Sequence, residues 1–163
     1  MKKILIFSLL LTSVVGFSQA FKGKGDQKLN VGMNIQDGGT GIVAGYDYGV
    51  GQNLSIGLQS TYAIGIRNSY DGANFARRFD VRARANANIG DVLNFSDDLD
   101  VYLGLNIGMH NFGGQIGARY FFTDGFGVNV EMVNPIARFD SDVYGYRHLN
   151  NQTQLNVGIS FNF

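Results

Sequence analysis

Eight charged residues stand at every second position within runs that are otherwise apolar or small. Arg78, Asp80, Arg82 and Arg84 follow one another at that spacing, and Asp47, Asp100, Arg119 and Glu131 hold the same parity in four further runs. Both signs are present, and a charge withdrawn from water needs a partner. Such a set can form an enclosed salt-bridge network that fixes a polar interior in one register. It can also line and gate an ion path. Charges of both signs at one parity can satisfy one another, which favours the network. His110 and His148 are the chain's two histidines, the residue type that titrates near neutral pH. A histidine beside Asp140, Ser141 or Asp142 would have the residue types for acid–base work. That chemistry needs hydrogen-bond reach, which the spacing alone does not supply. The expectation is a solvated rim histidine, no catalytic residue and no enzyme.

Other ligand chemistry finds little support. The chain has no Cys, which excludes disulfides, thiolate metal sites, a cysteine nucleophile and a lipidated N-terminal cysteine. Asp97, Asp98 and Asp100 lack the spacing of a calcium loop. Gly23 and Gly25 are not followed by a nucleotide-binding βαβ unit. Asn53, Asn94 and Asn151 open Asn-x-Ser/Thr triplets, which alone assign no function. No metal and no cofactor are expected. The 163 residues carry a formal net charge of zero, which gives no reason to expect nucleic acid.

The charges are positioned by elements of period two. One face in each of eight stretches is apolar: 29–35, 42–48, 54–64, 79–89, 99–109, 116–122, 126–132 and 153–163. In the last, Leu155, Val157, Ile159, Phe161 and Phe163 alternate with Gln154, Asn156, Gly158, Ser160 and Asn162. Strict alternation marks a strand with two unlike environments. No segment shows a helical period. Asp37-Gly38-Gly39, 49–53 and Thr123-Asp124-Gly125 carry turn chemistry. The single proline, Pro135, falls near a strand end, where proline is tolerated.

Residues 1–20 read as a secretory signal peptide: Lys2 and Lys3, an apolar run, then Ser18-Gln19-Ala20. The run is short for a retained anchor. Residues 21–163 then form one domain. Removing Lys2 and Lys3 from 13 basic residues leaves 11 against 13 acidic, a net charge of −2.

Alternation does not say which face is inside. A soluble lipocalin-like barrel turns its apolar face inward; a membrane barrel turns it outward. Water-facing strands are rich in Lys and Glu, yet no Lys follows Lys28 and Glu131 is the only Glu. The polar face is Asn, Gln, Gly and Ser with a few charges of both signs. The expected fold is therefore all-β, an eight-stranded antiparallel up-and-down transmembrane β-barrel with its apolar face outward. Parity puts both termini at one end, with 49–53, 90–98 and 123–125 as turns there. Loops 37–39, 67–76, 110–114 and 139–151 lie at the other. Tyr46, Tyr48, Tyr120, Phe122, Phe126, Phe161 and Phe163 are placed to form an aromatic girdle near the termini, and Tyr62, Phe79 and Phe139 to mark the opposite rim. Lys22, Lys24 and Lys28 read as a solvated lead-in.

The alternating strands, the leader and the ending Val157-Gly158-Ile159-Ser160-Phe161-Asn162-Phe163 resemble the small outer-membrane β-barrels of Gram-negative bacteria. The segments 21–26, 36–41 and 119–127 are similar to an uncharacterised barrel family that carries only a domain-of-unknown-function label. The resemblance implies outer-membrane residence, with lipid and lipopolysaccharide as surroundings. It implies handling by periplasmic chaperones and the barrel-assembly machinery, with Val157, Ile159, Phe161 and Phe163 as the C-terminal assembly signal. A monomer is expected, with a structural or surface-interaction role. A narrow pore, a rim-site enzyme and a soluble secreted barrel are the alternatives.

Overall fold

A computed structural model describes residues 20–68, 72–90, 96–140 and 145–163. Of the leader expected over 1–20, residues 1–19 lie outside the described residues, as do Asn94, Ser141 and Asp142. Eight strands follow in order: β1 (Gln27–Gln36), β2 (Gly39–Gly49), β3 (Leu54–Ile66), β4 (Phe79–Asn88), β5 (Leu99–Gly108), β6 (Asn111–Thr123), β7 (Phe126–Arg138) and β8 (Gln154–Asn162). Each pairs antiparallel with the next, and β1 pairs with β8 from Lys28↔Asn162 to Gln36↔Gln154, closing the barrel. Closure leaves no strand edge unpaired.

The apolar face is outward. Leu58 is 60 % exposed while its neighbour Gln59 is 5 % exposed, and the same contrast runs along every strand. Three hairpins close over two residues: Asp37-Gly38, Met109-His110 and Asp124-Gly125. At Asp37-Gly38 the glycine has φ +72°, a left-handed geometry that glycine adopts without a Cβ clash. At Asp124-Gly125 the amide of Phe126 donates to Thr123 Oγ1 over 3.1 Å. Aromatic rings gather at both ends. Tyr120, Phe122, Phe126 and Phe161 form a chain with centroids 5.4, 6.4 and 5.9 Å apart. At the opposite rim, Phe75 lies between Tyr62 and Phe79 at 5.5 and 5.3 Å.

The structure corrects the sequence expectation in three places. Residues 110–114 are not a loop: β6 starts at Asn111, and only Met109 and His110 separate it from β5. Gly113 and Gly114 carry no side chain, so alternation is silent there, although the inward parity of Asn111, Gly113 and Gln115 is kept; the register shift at Phe112/Gly113 places its extra residue, Ile136, on β7. Pro135 pairs with Gly113 at that shift, where a missing N–H is tolerated. Helical turns do occur: α1 (Phe75–Arg78), capped by the Asn74 side chain, and a 3-10 turn, Gly145–His148. Four residues are too few to display a period. Third, Lys28 is not solvated; its burial is described below.

Candidate functional site in the barrel lumen

Antiparallel register brings the inward charges of β2, β4, β5, β6 and β7 to adjoining depths. Asp47 on β2 receives two hydrogen bonds from Arg84 on β4, from Nε at 2.6 Å and Nη2 at 2.5 Å. The same carboxylate accepts from Arg119 Nη2 on β6. Arg84 reaches Glu131 on β7 with Nη1 at 2.8 Å, and Arg119 reaches Asp100 on β5 with Nη1 at 3.1 Å. The result is one unbroken run, Glu131–Arg84–Asp47–Arg119–Asp100, crossing the lumen and tying five strands. Every member is buried. Planar guanidinium groups suit this work because each presents several fixed donors to separate carboxylates.

Neutral groups complete the cluster. Glu131 accepts from Tyr102 Oη at 2.7 Å, Gln59 Nε2 at 2.7 Å and Asn156 Nδ2 at 3.0 Å. The Tyr102 ring lies under the Arg119 guanidinium at 4.2 Å. Its room comes from Gly117, its register partner on β6, where any Cβ would strike the ring. Among Asn30, Gln59, Arg84, Tyr102, Glu131 and Asn156 the free volume is about 10 Å³, close to the space one water needs.

Both mouths are covered among the described residues. Near the termini, residues 20–26 turn across the opening, with Phe21 buried and the amide of Gly25 donating to the Gly49 carbonyl at 2.8 Å. Lys28 points inward, bonds Asp26 at 2.7 Å and sits over the Phe121 ring at 4.9 Å. At the far mouth Leu149 packs on Ala63 and Ala73. Next to it, Asn150 is fully buried in a left-handed conformation, φ +61°, which asparagine tolerates better than most residues. All its polar groups are engaged. Its amide donates to Gln36 Oε1 at 2.8 Å, and its carbonyl accepts from Arg82 at 3.1 Å and Asn111 at 2.8 Å. Its side chain donates to the carbonyls of Arg77 and Arg78, each at 3.1 Å, and accepts from Thr61 at 3.2 Å.

The expected charge set is divided by the fold. Asp47, Arg84, Asp100, Arg119 and Glu131 converge. Asp80 and Arg82 form a separate pair at 2.6 Å nearer the far mouth, where Arg82 also reaches Gln154 at 2.9 Å. Arg78 does not join them: it ends α1, and its Nε donates to the Ala73 carbonyl at 3.1 Å. The charges of 78–84 alternate in sequence, but the strand begins only at Phe79, so the parity argument stops one residue short. Asp26, Tyr102 and Asn150 are absent from the set expected on sequence, and Lys28, expected in a solvated lead-in, is buried. Lys28 shares parity with the inward Asn30 and Asn34, a signal that was available. Asn150 gave none, because it lies in a long connection. His110 Nε2 lies 3.3 Å from the Phe79 carbonyl, and His148 ends the 3-10 turn. Among the described residues no three His, Cys, Asp or Glu side chains are grouped to hold a metal. Val157, Ile159, Phe161 and Phe163 follow one another at alternate positions along β8 and its end.

A family model described as a family of unknown function, DUF6646, matches residues 11–163. The chain belongs to that family. No curated protein matches the DUF6646 chain significantly. Solved structures do. The N-terminal β-barrel domain of Pseudomonas aeruginosa OprF is similar at 12 % identity with a TM-score of 0.58, over 86 % of this chain and 99 % of that one. A structure from the de novo design of transmembrane β-barrels is similar at 15 % identity with a TM-score of 0.54, over 86 % and 97 %. At these identities the likeness concerns the fold, and it places the DUF6646 chain among closed eight-stranded barrels.

Proposed function

We propose that this protein is an exported, integral outer-membrane β-barrel with a closed lumen and a structural or surface-interaction role, acting without catalysis. The observation that carries this reading is the unbroken buried run Glu131–Arg84–Asp47–Arg119–Asp100 across the lumen, with a cover at each mouth. An ion would have to separate hydrogen-bonded, desolvated pairs to pass. The apolar outer face supports residence in lipid, since water would leave nearly the whole barrel wall as one exposed apolar surface, far larger than soluble monomers show. Export by residues 1–20, assembly through the ending at Val157, Ile159, Phe161 and Phe163, and a monomeric state with outer-membrane lipid and lipopolysaccharide as surroundings complete the proposal.

The test is refolding into detergent, followed by gel mobility with and without boiling and by planar-bilayer conductance. A heat-dependent mobility shift with no large steady conductance is expected. Equal mobilities together with solubility in plain buffer would favour a soluble barrel. A large conductance in the unmutated protein would move it to the channel class.

A further inference from the structure

The buried cations of the strands are Arg82, Arg84 and Arg119, with one exception, Lys28 on β1. No Lys follows it in the chain. A guanidinium stays protonated, whereas an amine can give up a proton and act as a nucleophile. The arginines bond the carboxylates of β2, β4, β5 and β7. Lys28 has different company.

Its Nζ lies 2.7 Å from Asp26 Oδ2 and donates to Asn162 Oδ1 over 3.1 Å. Lys28 and Asn162 are register partners across the β1–β8 seam, the pairing that closes the barrel. The Asn162 amide is fixed from its other side, where Nδ2 donates to the Asp124 carbonyl at 3.0 Å. Its oxygen therefore faces the amine, and Cγ lies one C=O bond, about 1.23 Å, behind that oxygen. Asp26 is buried, and its Oδ1 accepts no hydrogen bond among the described residues. The buried rings of Phe21 and Phe121 flank the amine at 5.9 and 4.9 Å and shield it from water. The neighbouring charges Arg119 and Asp100 are bonded to each other. A nucleophile, a carboxamide and a shielded proton carrier thus meet on one seam.

We propose that Lys28 and Asn162 form a modification site, at which the folded chain makes an intramolecular isopeptide bond that stitches β1 to β8. Asp26 takes one proton from the Lys28 ammonium. That leaves a neutral amine beside a carboxylic acid, a pair that surroundings of low polarity tolerate. The Nζ lone pair forms a bond to Asn162 Cγ, and the π pair of the carbonyl moves onto Oδ1. Both nitrogens then sit on one carbon, so a carboxyl group held at Nζ lies beside Nδ2 as well. Asp26 gives its proton to Nδ2 and takes another from Nζ. The Cγ–Nδ2 bond breaks, its electron pair leaves with ammonia, and the carbonyl re-forms. Of the three ammonium protons, one stays on the new amide, one leaves in ammonia and one rests on Asp26. Asn162 is half-buried at the mouth, which gives ammonia an exit. The bond requires only the closed seam, so it stands or falls apart from the lumen and membrane readings.

Intact-mass spectrometry and tryptic mapping of the folded chain, isolated from the cells that make it, test this. The chain should be lighter by one ammonia than the sequence its peptides define. A branched fragment should join residues 25–67, uncut at Lys28, to residues 148–163. Lys28→Arg keeps the charge and should restore the full mass, as should Asn162→Ala. On refolding from urea, Asp26→Asn should form the bond about a hundredfold more slowly or worse, the usual loss for a positioned acid–base group. Boiled samples of the unmutated chain, a ring from 28 to 162, should migrate apart from the linear Lys28→Arg chain. Circular dichroism of the same samples establishes that the strands have formed. A folded, unmutated chain of full mass overturns the proposal. So does an ammonia loss that persists in Lys28→Arg, which would be a succinimide elsewhere.

Discussion

Asp47 accepts from two guanidinium groups, and each of those holds a second carboxylate; Glu131 is that second carboxylate for Arg84 and also the acceptor for Tyr102, Gln59 and Asn156. Glu131→Gln should therefore lower stability by about 3–5 kcal/mol, the range for breaking a buried pair from one side. Urea unfolding of the refolded barrel measures it. In a wet, conducting lumen the loss would be much smaller and conductance would rise. Tyr102→Phe removes one hydrogen bond to the same carboxylate and keeps the ring under Arg119. A loss of about 1.5–3 kcal/mol is expected, the usual range for a bond to a charged group. The identities of these charges were readable in the chain because alternation assigns a face. Their pairing was not, since partners such as Arg119 and Asp47 are 72 positions apart and meet only when the barrel closes. Arg78 shows the opposite failure: correct parity, but outside the strand.

Strands were more legible than their ends. A strand with two environments repeats its signal every other residue, so β1, β5 and β8 can be read directly. Glycine erases that signal, and β6 accordingly begins four residues earlier than the side chains suggest. Glycine also decides the closing seam. Gly32 on β1 and Gly158 on β8 face each other in register, and a Cβ on either would run into the backbone of the other strand. Gly158→Ala should therefore cost about 1–3 kcal/mol, as overpacking does. It should also slow barrel closure, visible as a delayed appearance of the fast-migrating unboiled band. Gly25→Ala, in open space at the terminal end but at φ +91°, strains only the local backbone and should leave closure kinetics unchanged.

At the scale of the whole molecule, the proposed membrane setting makes the outer wall a solvent interface. Leu103 is half exposed at the middle of β5. Leu103→Arg should destabilise the barrel by about 2–4 kcal/mol if that position lies at the bilayer midplane. A spin label at 103 should be more accessible to oxygen than to a water-soluble nickel complex; the reverse order would mean that the faces are assigned the wrong way round. The architecture was legible from composition and period together, whereas the covers at both mouths were not, because 20–26 and 149–151 carry no periodic pattern. Inside, space is shared rather than owned. Tyr102 occupies the volume that Gly117 leaves, across two strands. The unit that sequence drift can alter is then the pair, not the position. Enlarging 117 alone evicts the ring, and shrinking 102 alone opens a void beside Glu131, but a small residue at 102 with a large one at 117 restores the filling. An alignment of this family should show those two columns changing together, with their summed side-chain volume held steadier than either one.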